Sequence, residues 1–117
     1  MNAHQWSPEI RRRAEKAVAD LESFYDTMQA GTPLDRRQNV HRFALTRMAV
    51  IEASGADPSV VDKVAGLDAV CKQLSLLQPL AELDEGQTVV HGLGLVAGVR
   101  IQMHTMGLVQ HDSRAGA

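Results

Sequence analysis

Three dipeptides that commonly begin helices divide this chain at regular intervals. They are Ser7-Pro8, Thr32-Pro33 and Asp57-Pro58, so the first residues of the pairs lie at positions 7, 32 and 57. A Ser, Thr or Asp side chain accepts a hydrogen bond from a free N–H of the first helical turn, and proline has no N–H to leave unpaired there. Glycine lies just before the second and third signals, where a helix would end. The pattern predicts long helices joined by short loops, and the three segments match only in these start signals and in the spacing of their apolar residues.

Composition restricts the class of protein further. The 117 residues suit a single domain over 1–117, with a flexible N-terminus at 1–6 and a flexible tail at 111–117. Aromatic residues make up only 3% of the chain, so its core must be aliphatic, as suits helix packing. A net charge of −2 gives no electrostatic signature of nucleic-acid binding. With one cysteine, no leader-like start and no apolar run of bilayer length, we expect a cytoplasmic bacterial protein.

The first helix has an apolar seam on which our interface hypothesis rests. After Pro8 the apolar residues recur at alternating spacings of four and three, as in a coiled coil, and the other positions are charged. We predict that this seam joins two copies of the chain or holds another protein, together with a methionine-bearing C-terminal segment. The candidate interface residues are Ile10, Ala14, Val18, Leu21, Phe24, Tyr25, Met28, Met103, Met106 and Leu108. The alternative is that all of these side chains form an intramolecular core.

The remaining segments predict an all-α fold. A second helix runs from Pro33 to about Ser54, and the apolar character of its second half predicts a central position. A third helix follows Pro58, with Cys71 on its apolar stripe. Residues 88–109 fit strand alternation or a glycine-containing helix, and we favour helix because a lone strand would leave its edges unpaired. The fold class is therefore a small helical bundle of three to four long helices with short loops, and we expect it to be dimeric.

Motifs for catalysis are absent. None of the five histidines lies three or four residues from another, so we predict no metal site. Because Cys71 lies on an apolar stripe, we predict that its thiol is buried and inert. The segment His91-Gly92-Leu93-Gly94 lacks the strand–turn–helix context of a dinucleotide loop, and we expect neither a cofactor nor enzymatic activity.

Two other functions remain open. Arginines 11–13, 36, 37, 42 and 47 supply a possible basic strip, and residues 49–64 have the rhythm of a helix-turn-helix. Acidic residues at the head of the would-be recognition helix weigh against a DNA-binding regulator. A secretion or phage-type chaperone, holding an unfolded segment on apolar surfaces, is the other alternative.

The chain also resembles a known family in its size and in its general sequence pattern. The stretch from Asp57 to Leu67 and the His91-Gly92-Leu93-Gly94 segment, after an amphipathic first helix, look like the QslA-type antiactivators of pseudomonad quorum sensing. The resemblance implies a dimeric helical protein that binds the ligand-binding domain of a LuxR-type regulator and blocks the dimerisation of that regulator. It implies no particular interface residue. Our sequence hypothesis is therefore a non-enzymatic, protein-binding regulator.

Overall fold

The computed structural model describes residues 6–76 and 82–111, which form five α-helices. These are α1 (Pro8–Ala30), α2 (Pro33–Asn39), α3 (Arg42–Ala53), α4 (Pro58–Leu74) and α5 (Glu82–Thr105). The all-α prediction is confirmed for this part of the chain, and the ambiguous stretch is helical from 88 to 105. None of these helices is long and apolar enough to cross a membrane. The predicted flexible ends lie outside the described residues except at Trp6 and His111.

All three predicted helix starts are confirmed by their hydrogen bonds. The Ser7 hydroxyl accepts from the Ile10 backbone N–H at 3.1 Å, and Asp57 accepts from the N–H groups of the second and third residues of α4. Thr32 and Asp35 form a reciprocal capping box. The backbone N–H and the hydroxyl of Thr32 both donate to the Asp35 carboxylate, which lowers the pKa of Asp35.

The four longer helices pack antiparallel to their neighbours. Phe24 of α1 stacks on Phe43 of α3 at 5.5 Å, whereas Ala17, earlier on α1, lies by Ala49, later on α3. In α4 and α5, Asp57 contacts Gln102 and Gly66 contacts Leu95. The chain therefore passes up α1, down α3, up α4 and down α5. The core between the helices is mainly aliphatic, as the composition predicts.

The predicted second helix is interrupted at Val40 and His41, where hydrogen bonds from residue 43 to 40 and from 44 to 41 tighten the chain. The helix breaks there because α2 and α3 are held by different contacts on either side of Val40 and His41. The buried Arg36 side chain in α2 donates to the carbonyls of Met28 and Gln29, satisfying the end of α1, and pairs with Glu85 at 2.5 Å. Phe43 in α3, by contrast, packs on the Phe24 ring in α1.

A buried arginine joins α5 to α1. Arg100 is 4% exposed, donates two hydrogen bonds to the Glu22 carboxylate at 2.8 and 2.9 Å, and lies 2.8 Å from a Glu15 oxygen. Burial alone would lower the pKa of Arg100, but the hydrogen bonds and charges of Glu22 and Glu15 raise it above its ordinary value. The guanidinium also donates to the Gln110 carbonyl, which holds the segment after α5 against the bundle.

Candidate functional site

The structure places most of the predicted interface residues inside a single chain. Eight of the ten are buried in the core: Ala14, Val18, Leu21, Phe24, Tyr25, Met28, Met103 and Leu108, none more than 1% exposed. Only Ile10, 42% exposed, and the half-buried Met106 reach the surface. The seam of α1 therefore packs on α3 and α5, and it offers a second molecule little beyond its N-terminal turn.

Ile10 lines a groove between the first half of α1 and the second half of α3. The groove holds about 410 Å³. Its apolar lining comes from Trp6, Ile10 and Ala17 on one side and from Ala49 and Ala53 on the other. All of these are small except Trp6 and Ile10, so the groove exists because alanines face each other where larger side chains would have filled the space.

Trp6 closes one end of this groove and was missed from sequence. Its indole N–H donates to the Met106 carbonyl at 2.7 Å, and its ring packs against the core. We predicted residues 1–6 as a flexible terminus, and Trp6 is tied down instead. No local signal predicted this contact, because the helical residue on which such an apolar side chain usually packs is here Arg11, and Met106 lies 100 residues away.

The outer face of α3 continues the apolar surface beyond the groove. Leu45 is 75% exposed and Met48 55% exposed, and both lie within four residues of Ala49 on the same helix. The prediction that this half-helix is central is wrong. Phe43 and Val50 alone are buried on α3, because a single neighbour on each side leaves the rest of an apolar helix in water. Apolar residues that are exposed next to one another, rather than singly, are typical of interaction sites.

Charges of both signs surround the groove. Arg13, Lys16, Asp20 and Glu52 line its edges. Arg13 pairs with Glu9 at 3.4 Å, and Lys16 pairs with Asp20 at 2.8 Å, both on the exposed surface of α1. The rim thus has no single sign that would select a strongly charged ligand, and its polar groups surround an apolar floor as in protein interfaces.

Two of the seven arginines of the predicted basic strip make contacts with other helices, and the other five are exposed: Arg11, Arg12, Arg13, Arg37 and Arg42. Arg36 is buried against carbonyl oxygens, and Arg47 lies 3.8 Å from Asp68 and over the Phe43 ring. The turn from α3 to α4 contains Gly55 and Ala56 at positive φ. The exposed start of α4 presents Val61 and Asp62, which have no hydrogen-bond donor for a base or a phosphate.

The described residues provide neither a reactive thiol nor a cluster of metal-ligating side chains. Cys71 is fully buried, and burial together with the nearby Asp68 raises the pKa of its thiol to about 12, so it is not a nucleophile at neutral pH. No three His, Cys, Asp or Glu side chains within 6–76 and 82–111 are placed to hold a metal ion. A second depression of about 510 Å³ lies beside Arg12, Glu15 and His104.

Comparison of this chain with protein-family models, with curated proteins and with solved structures finds no match in any of the three. The geometry of its own surface is therefore what argues for a function. The distinctive surface is the groove between α1 and α3 together with Leu45 and Met48, which we call the α1–α3 site.

Proposed function

We propose that this protein is a non-enzymatic regulator that binds another protein at the α1–α3 site. The observation that carries the proposal is the exposure of Leu45 and Met48 beside a groove of about 410 Å³ with an apolar floor. Exposed leucine and methionine lose unfavourable contact with water when a partner covers them. Methionine also adapts its shape to different partner surfaces.

The shape of the site suits an amphipathic helix. The α1–α3 site follows α3 from Leu45 to Ala53, a stretch of about 12 Å, or just over two helical turns. A helix of that length presents apolar side chains at positions i, i+3 or i+4, and i+7, which matches a groove with a narrow floor. The mixed charges of Arg13, Lys16, Asp20 and Glu52 suit the polar edges of such a helix.

The partner we propose is the ligand-binding domain of a LuxR-type transcription regulator, with the protein acting as an antiactivator in quorum sensing. The resemblance of the chain to QslA-type antiactivators supports this choice of partner. The mechanism is steric, because a small helical protein seated on an apolar helix of the regulator covers surface that the regulator needs for its own dimerisation. No step of this mechanism uses catalysis, a metal or a cofactor.

The test is binding of the purified protein to a purified LuxR-type ligand-binding domain by isothermal titration calorimetry. We expect saturable binding with a negative heat-capacity change, because apolar surface is buried. Leu45→Asp and Ala49→Arg should weaken binding at least tenfold, the first by charging the surface and the second by filling the groove. Ile101→Asp is the matched control, since Ile101 is a similarly exposed apolar residue on α5.

Four outcomes would contradict the proposal. One is absence of binding to the regulator domain, and another is equal loss of affinity in the Ile101→Asp control. The third is binding to random duplex DNA that weakens steeply with salt, which would support the DNA-binding alternative. Binding only to unfolded polypeptide would favour the chaperone alternative.

A further inference from the structure

A second apolar surface lies on α5, on the side of the bundle that neither α1 nor α4 covers. Val90 is 66% exposed, Leu93 42% and Ile101 55%, and Gly94 and Ala97 are exposed between them. Successive spacings of four, three and four from Val90 to Ile101 place four of these residues in one line along the helix. We call Val90, Leu93, Gly94, Ala97 and Ile101 the α5 stripe.

The α5 stripe carries no charge. Arg100 is the one Asp, Glu, Lys or Arg residue between 86 and 110, and it points inward to Glu22. An exposed helix face ordinarily carries charged side chains, as α1 does. Across a helix this long, their absence indicates a face that becomes covered.

The glycines of α5 differ in what surrounds them. A side chain at Gly92 would collide with the ring of Tyr25, so packing in the chain itself explains this glycine, whereas one at Gly98 would meet only the flexible end of the Lys63 side chain. Gly94 is different, because nothing lies within 4 Å of where its Cβ would be. Glycine weakens a helix interior, and nothing in the rest of the described chain requires it here. At the centre of the α5 stripe, a glycine allows a second helix to approach closely, because it has no side chain in the way.

The order of residues in the α5 stripe is self-complementary when reversed. An antiparallel copy of α5 centred between residues 95 and 96 places Val90 opposite Ile101 of the second copy and Gly94 opposite Ala97. Small residues then meet at the centre, where the two helices approach closely, and large apolar residues meet on either side. This is the requirement of a two-fold symmetric interface, in which residue i contacts j and j contacts i.

We infer that a second copy of this chain covers the α5 stripe, with the two α5 helices antiparallel. The stretch from Gly86 to Thr105 measures about 30 Å, so the paired residues lie well within the length of both helices. We expect a weak dimer that dissociates in the micromolar range, because a single helix of each copy forms the whole interface. The inference goes beyond the proposed function and does not depend on it, because the α1–α3 site lies on different helices.

The test is sedimentation equilibrium of the full chain across the micromolar range, with charge-swap variants. We expect the unchanged protein to show a monomer–dimer equilibrium. Val90→Lys or Ile101→Glu alone should weaken the dimer at least tenfold, because each places two unpaired charges in an apolar interface. The double variant V90K/I101E should recover most of the affinity, since each lysine then faces a glutamate of the second copy.

Leu45→Asp on α3 is the control and should leave the dimer unchanged, while circular dichroism verifies that every variant remains helical. A protein that stays monomeric well above micromolar concentration overturns the inference. So does a double variant that dimerises no better than the single ones, because residues 90 and 101 then do not face each other. If a variant loses the dimer but still binds a regulator domain, the proposed function stands without the inferred dimer. If the dimer forms but no regulator domain binds, the inferred dimer stands without the proposed function.

Discussion

Replacing Gly92 by alanine tests whether α5 approaches α1 as closely as the structure shows. A Cβ at position 92 would collide with the hydroxyl of Tyr25 and would lie only 2.8 Å from its Cε1, where carbon atoms normally stay about 3.5–4.0 Å apart. Tyr25 is 1% exposed, and its hydroxyl donates to the Val89 carbonyl at 2.8 Å. The ring is thus held by packing and by a hydrogen bond, so it cannot move aside without loss.

The expected loss combines three contributions. Overpacking a core site costs about 1–3 kcal/mol, and breaking the Tyr25 hydrogen bond costs about 1 kcal/mol. Alanine returns up to about 1 kcal/mol, because it favours a helix more than glycine does. We therefore expect Gly92→Ala to lower the free energy of unfolding by about 1–3 kcal/mol. For a domain of this size, the melting temperature should fall by about 4 °C per kcal/mol.

Urea denaturation followed by circular dichroism measures this change directly. Gly86→Ala is the matched control, since Gly86 is exposed on the same helix with nothing within 4 Å of its Cβ position. The control should gain up to about 1 kcal/mol. In a Tyr25→Leu background, Gly92→Ala should cost less than it does alone, because the colliding atoms are gone. If Gly92→Ala is as harmless as Gly86→Ala, the packing of α1 on α5 described above is wrong.

Three further changes test other parts of the structure. Arg100→Met should lower the free energy of unfolding by about 3–5 kcal/mol, because it leaves two partly buried carboxylates without a cation, whereas exposed Arg13→Met should change it by less than about 1 kcal/mol; urea titration compares them. Burial raises the pKa of both Cys71 and Tyr25 to about 12, so the unfolded chain loses these protons first, and pH-dependent melting should show stability falling between about pH 9 and 12. Asp57→Ala removes the cap of α4 and should cost about 1–2 kcal/mol in thermal unfolding, and an unchanged melting temperature would contradict the capping role.

Much of the fold was predictable because its signals are local. The caps at Ser7, Thr32 and Asp57 act on N–H groups within three residues, so their effect is visible in the sequence. The interruption at Val40 was not predictable, because it depends on Arg36 reaching the end of α1 and Glu85, which lies 49 residues away. Burial of an arginine is seen only once its partners are placed.

The candidate sites were harder to predict than the helices. The periodicity of α1 correctly identified an apolar face, but a face that packs on its own chain and one that packs on a partner have the same spacing. Leu45 and Met48 belong to an apolar stretch that predicted a buried helix, but both are exposed. The α5 stripe was similarly hidden, because the pattern of glycines does not show which of them face Tyr25 and which face water.

The sequence by itself determined where α1, α2 and α4 begin, that the described chain is all-α, and that its core is aliphatic, since these follow from short-range hydrogen bonding and from composition. Only the tertiary structure decided which apolar faces are enclosed. A bundle gives each helix only a few neighbours, and those neighbours are far away in sequence. The surfaces left uncovered at the α1–α3 site and along α5 are therefore a property of the packing as a whole, and they are the surfaces where we locate function.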